Sequence, residues 1–173
     1  MQNQPQGSNW RVLVIEDEDD NRDVIAAALR FYKMVVKSAK NGLEAIEMLQ
    51  DFVPDFILSD LAMPKMDGLA TLLEIRANPK TVHIPVIALT AYAMIGDREK
   101  ALAKGFDGYI TKPIEVLTIY STLKTIMAAI AEKTANQKAA GQVAVLPKTV
   151  QPVTLSLPPA EHDDNPNGVP HHN

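Results

Sequence analysis

The chain contains no cysteine. Disulfides, thiol nucleophiles and thiolate metal sites are excluded, and the absence fits a reducing cytoplasm. The opening residues, Met1-Gln2-Asn3-Gln4-Pro5-Gln6-Gly7-Ser8, lack the basic start and apolar core of a secretory signal. Apolar runs are cut by acids, Pro or Lys well short of a membrane span, so no membrane insertion is expected. A formal net charge of -4 argues against a dominant binder of nucleic-acid phosphates. No internal repeat is present. No glycine-rich phosphate loop follows the first apolar run, which weighs against a flavodoxin-type cofactor binder.

What remains is one domain with a tail, which 173 residues allow. From Arg11 onward, short apolar runs alternate with segments of helical period. That rhythm predicts a parallel sheet covered on both faces. Strands are expected near 11–15, 34–38, 56–59, 85–89 and 108–110. Helices are expected near 20–32, 42–52, 68–77, 94–103 and 114–132. Asn41-Gly42 and Asp67-Gly68 read as cap and turn signals, and Gly105 as a left-handed helix end. Val24, Ile25, Ala28 and Leu29 form an apolar stripe on the first helix. Val116, Ile119, Tyr120, Leu123, Ile126, Met127 and Ile130 do so on the last. Residues 1–9 read as disordered, 10–132 as the folded domain, and 133–173 as a Pro-, Asn-, Gln- and His-rich linker or disordered tail. The tail is too short and too poor in helical pattern for a DNA-binding output module, so no direct DNA binding is expected.

Asp60 ends the apolar run Phe56-Ile57-Leu58-Ser59. An isolated buried charge is costly, so a cation or hydrogen-bond donors should wait at that strand end. Other strand ends supply candidates: Glu16-Asp17, Thr90, and Thr111-Lys112-Pro113. In an open parallel sheet ligands bind at the carboxyl ends of the strands. Taken alone, each piece has a plainer reading. Asp60 could cap a helix, Glu16 and Asp17 could belong to the acidic run Glu18, Asp19, Asp20 and Asp23, and Lys112 could be a surface lysine before a proline.

Together, Glu16-Asp17, Asp60 with Met63-Pro64-Lys65-Met66-Asp67-Gly68, Thr90-Ala91 and Lys112-Pro113 resemble the signature of the receiver domain of two-component response regulators, over about residues 10 to 131. The resemblance implies a flavodoxin-like α/β fold, a doubly wound five-stranded parallel sheet of order 2-1-3-4-5 with five helices. It implies that Asp60 accepts a phosphoryl group from a histidine kinase or histidine phosphotransfer protein. Mg2+, with Mn2+ as an alternative, would be held by Asp17, Asp60 and the Ala62 backbone carbonyl, and by Glu16 through a water. The family more often carries Asp at the Glu16 position. Lys112 would pair with phosphoryl oxygens after a cis Lys112–Pro113 bond, and Thr90 would offer its hydroxyl. Thr90 and Tyr109 would form the switch, although Tyr109 also reads as a strand tyrosine packed on the fourth helix. A surface of fourth helix, fifth strand and fifth helix, with Met94, Ile95, Tyr109 and Tyr120, would meet a downstream target protein; core packing competes as an explanation of Tyr120.

The chain is not expected to be an enzyme beyond Mg2+-dependent self-phosphorylation from phosphodonors and slow self-dephosphorylation. By the resemblance, Ala62 and Tyr92 would flank the approach of the hydrolytic water, and neither offers a carboxylate or amide to hold it. An aspartyl-phosphate phosphatase would need an acid at position 62, where Ala62 stands. A phosphorylation-independent pseudo-receiver used as a binding module is the alternative; such domains typically lose the acids or the lysine.

Overall fold

The computed structural model describes residues 9–91 and 97–139. The element order is β1 (Arg11–Ile15), α1 (Asp19–Phe31), β2 (Val35–Ala39), α2 (Gly42–Met48), β3 (Phe56–Asp60), α3 (Gly68–Ala77), β4 (Val86–Thr90), α4 (Asp97–Ala103), β5 (Gly108–Thr111) and α5 (Ile119–Ala139). All strand pairs are parallel, in the order β2-β1-β3-β4-β5. The resemblance implied this doubly wound order. Of the segments read from the sequence, residues 1–8, the start of the fourth helix at 94–96 and the tail from 140 lie outside the described residues, as do Tyr92, Met94 and Ile95.

Why the sheet is covered twice follows from side-chain alternation. Leu13, Ile15, Ile57, Val86 and Ala88 point to one face, where they meet Ala45 of α2, Leu72 and Ile75 of α3 and Ala101 of α4. Val12, Val14, Phe56, Leu58, Ile87 and Leu89 point to the other, against Ile25, Ala28 and Leu29 of α1 and Ile119 and Leu123 of α5. Both sets are buried, so β3 and β4 read as unbroken apolar runs rather than alternating ones.

Two caps foreseen in the sequence form. Asn41 accepts from the Glu44 amide at 3.1 Å, and the Glu44 carboxylate accepts from the Lys40 amide at 2.8 Å. Asp67 accepts from the Ala70 amide at 2.7 Å. Gly105 closes the turn after α4 at φ 102°.

Three boundaries differ from expectation. α2 stops at Met48, beyond which the Gln50 and Asp51 amides bond only three residues back in turns that lead to the buried Phe52. α5 begins at Ile119 rather than 114, and the carbonyl of Leu117 before it accepts from Tyr32 Oη at 3.2 Å. α5 then runs on to Ala139 instead of ending at 132, through residues rich in strong helix formers. On α1, Val24 is exposed, while Arg22 is buried with Ile25, Ala26, Ala28 and Leu29.

Gly68 ties α3 to the end of β3. A Cβ there would lie 2.2 Å from the Asp60 carbonyl oxygen and 2.9 Å from Leu61 Cα. These are backbone atoms and cannot rotate away. Ala favours helix over Gly by about 1 kcal/mol, yet the clash should win. Gly68→Ala is expected to lower stability by about 1–3 kcal/mol, read as a lower urea midpoint. An unchanged or raised midpoint would show that the β3–α3 loop yields freely.

Candidate functional site

Asp60 is the last residue of β3 and is 7 % exposed. The Ala62 amide donates to its Oδ1 at 3.1 Å, and Lys112 Nζ donates to its Oδ2 at 2.5 Å. Lys112 follows β5 directly, and its peptide bond to Pro113 is cis, as the resemblance implied. Lys112 Nζ also lies 2.6 Å from Glu16 Oε2. One amine thus serves two carboxylates from two different strands.

Glu16 follows β1, is fully buried, and its amide donates to the Ala39 carbonyl at 3.1 Å. Its contact with Lys112 is an ion pair by distance, but the angles miss those of a hydrogen bond. Both Glu16 carboxylate oxygens therefore lack a well-aligned hydrogen-bond donor. Burial pushes the Glu16 carboxyl above the ordinary range; the Lys112 amine pulls it down, and the neighbouring Asp60 charge adds to the rise. Burial alone would lower the Lys112 amine, but Asp60 and Glu16 together outweigh it and hold the amine above its usual value.

Asp17 is half-buried beside them. One oxygen from each of Glu16, Asp17 and Asp60 falls within 4.8 Å of the others. Three acids against one amine leave an excess of negative charge at one spot. A hard divalent cation prefers such oxygens and keeps waters. A cation-bound water would supply the donor that the buried Glu16 oxygens lack, so the donor set fits Mg2+. The acids Glu18, Asp19, Asp20 and Asp23 stay exposed around the start of α1.

Thr90 ends β4, is buried, and its carbonyl accepts from the Lys112 amide at 2.7 Å. It stands one residue beyond Leu89, the strand partner of Asp60. Tyr109 on β5 is half-buried and packs on the α2–α3–α4 side of the core. Tyr120 packs on the opposite side. It stacks on Tyr32 at 4.9 Å and faces Trp10 at 6.4 Å, so from α5 it packs, partly buried, against the α1 side of the core.

One residue escaped the sequence reading. Arg22 is buried on α1; its Nη1 donates to the carbonyls of Glu16 at 3.0 Å and Asp17 at 3.4 Å, and its Nη2 pairs with Asp19. The guanidinium thereby clamps the loop that presents both acids. The available signal was its spacing, since Arg22 falls on the helical stripe with Ile25, Ala26 and Leu29.

Fold and pocket together define a doubly wound α/β domain with an acidic cluster and one lysine at the carboxyl ends of its central strands. The chain belongs to the response regulator receiver domain family, whose model matches residues 12–124. It is 37 % identical over 120 residues to the polar-differentiation response regulator DivK of Brucella anthropi, covering 67 % of this chain and 94 % of that one. It is 41 % identical over 108 residues to an uncharacterised 14.6 kDa protein of Leptolyngbya boryana, covering 62 % and 82 %. Among solved structures, the chemotaxis response regulator CheY4 of Vibrio cholerae superposes with TM-score 0.64 at 26 % identity, over 69 % of this chain and 99 % of that one. The receiver domain of a sensor histidine kinase from Pseudomonas aeruginosa PAO1, solved with magnesium in its active-site cleft, gives TM-score 0.61 at 32 % identity, over 72 % and 99 %. Among the described residues, no helix is long and apolar enough to cross a membrane.

Proposed function

We propose that Asp60 is the phosphoacceptor of a two-component or phosphorelay system in the cytoplasm. The observation that carries this is the convergence of Glu16, Asp17 and Asp60 around the Lys112 amine. A carboxylate oxygen of Asp60 attacks phosphorus, the bond from phosphorus to the donor imidazole breaks, and the imidazole leaves with the bonding electron pair and is protonated. Bound Mg2+, or Mn2+ in its place, would neutralise the phosphoryl oxygens and Asp60 as they approach. Asp17, Asp60 and the Ala62 carbonyl would hold the ion directly, and Glu16 through a water. Lys112 steadies the oxygens as a point charge, and Arg22 keeps the acidic loop in position. Thr90 moves toward the new phosphoryl group and Tyr109 turns inward behind it. The surface of α4, β5 and α5 then changes for a downstream protein. The donor is a histidine kinase or a histidine phosphotransfer protein. Retention of Glu16, Asp17, Asp60 and Lys112 together disfavours a phosphorylation-independent pseudo-receiver.

The test is incubation of purified protein with Mg2+ and acetyl phosphate, followed by intact mass. One added phosphoryl group is expected, located at Asp60 by borohydride reduction of the acyl phosphate. No addition, or addition at another residue, overturns the reading.

The phosphorylated state should be long-lived, because Ala62, exposed beside Asp60, has no group to place a hydrolytic water. Ala62→Asn is expected to speed phosphate release, and positioning effects of this kind reach about 10²-fold. Release from labelled protein that is unchanged or slower in the variant would remove position 62 from control of the lifetime.

A further inference from the structure

Among the described residues the sheet has two unpaired margins, the outer edges of β2 and of β5, and β5 neighbours only β4. A groove of about 610 Å³ lies over the β5 edge, between α4 and α5. Leu102, Tyr109, Ile126 and Ile130 give it an apolar floor and walls; Arg98 and Lys133 add positive charge, and the acid in its lining, Asp107, is paired with Arg76. An unpaired strand edge in an apolar groove is a template for an added strand.

The chain carries a segment of matching pattern. Val153-Thr154-Leu155-Ser156-Leu157 alternates apolar and polar residues without a break, the period of a half-buried strand. Pro152 precedes it and Pro158-Pro159 follows, so the pattern is bounded at five residues, and Leu157 is biased to extended backbone by the proline after it. Its length suits β5, which spans Gly108–Thr111. The acids Glu161, Asp163 and Asp164 that follow complement Arg98 and Lys133.

Reach selects this segment over the other apolar run, Val143-Ala144-Val145-Leu146. Ile126 packs over Gly108, so α5 carries the chain about 20 Å past that point before Ala139. Extended chain leaving Ala139 covers about 13 Å by Val143, too little to return, but about 46 Å by Val153. We propose that residues 153–157 of this chain seat in the α4–α5 groove as a sixth strand on the edge of β5, covering that face in cis. The groove is that of the unphosphorylated chain, with Tyr109 in its lining.

Hydrogen exchange on the full chain tests it. The outward-facing amides of β5 and the amides of 153–157 that face it, alternate residues in each strand, should exchange about tenfold or more slowly in the wild type than in Leu155→Asp. Val145→Asp should match the wild type. Protection should not change with protein concentration. Equal exchange in wild type and Leu155→Asp, an equal loss in Val145→Asp, or protection that grows with concentration, as exchange of the segment between copies would give, each overturns the proposal.

Discussion

Asp60→Asn should add no phosphoryl group from acetyl phosphate while folding at least as stably as the wild type in chelator. The amide is no nucleophile for acyl phosphate formation, and neither remaining acid occupies its place. Glu16 is wholly buried and Asp17 sits on the loop after β1, whereas Asp60 alone accepts from both Lys112 Nζ and the Ala62 amide. The stability half of the expectation comes from like charge. Carboxylate oxygens within 4.8 Å repel, and two unit charges at that distance and an effective dielectric near 20 cost about 3–4 kcal/mol. Losing the charged Lys112–Asp60 contact offsets part of that relief. Lys112 keeps Glu16, however, and the side-chain carbonyl of the substituted amide can still accept from the Ala62 amide. Intact mass and a urea midpoint read both halves. Full labelling of the variant would end the assignment of Asp60. A large drop in midpoint would show that the Lys112 pair outweighs the repulsion.

Lys112→Ala should behave in the opposite way. The amine is the counter-charge for a fully buried Glu16 and a nearly buried Asp60. Breaking a buried pair on one side commonly costs 3–5 kcal/mol; here about 2–4 is expected, because the lysine side chain is 17 % exposed and water screens part of the effect. Glu16 already sits above the ordinary carboxyl range through burial, and loss of the amine raises it further. A carboxyl raised in the folded state costs nothing where both states hold the proton and costs fully above its folded value. The deficit against wild type should therefore widen from acidic to neutral buffer. It should also shrink on adding Mg2+, because a divalent cation can replace the missing positive charge. Urea midpoints in chelator and in Mg2+, at both pH values, measure this. A deficit indifferent to Mg2+ would mean that Lys112 acts through packing rather than charge.

The βα rhythm, the caps at Asn41 and Asp67 and the placement of Asp60, Thr90 and Lys112 at strand ends were all legible in the sequence. Each depends on a few neighbouring residues: apolar runs, an Asx residue before Gly, a polar residue after a run. The 2-1-3-4-5 order came from the family resemblance, since periodicity does not order strands. Local pattern also left α5 free to begin at 114. In the fold its first turn waits until Ile119, after the Leu117 carbonyl has been taken by Tyr32. For Tyr120 the pattern left both a partner-facing and a core-packing place open, and its contacts with Trp10 and Tyr32 favour packing.

By itself, the sequence determined which strand ends carry charge and that the charge is mainly acidic. Only the tertiary structure decided how that charge is shared. Glu16 and Lys112 are far apart in the chain, as are Asp60 and Lys112, yet parallel packing of β1, β3, β4 and β5 delivers both acids to the same amine. It also turns Arg22 inward, where the guanidinium meets the carbonyls of the acidic loop instead of water. Desolvation and Coulomb energy depend on every group within a few ångströms in space, and those groups are assembled only when the sheet closes.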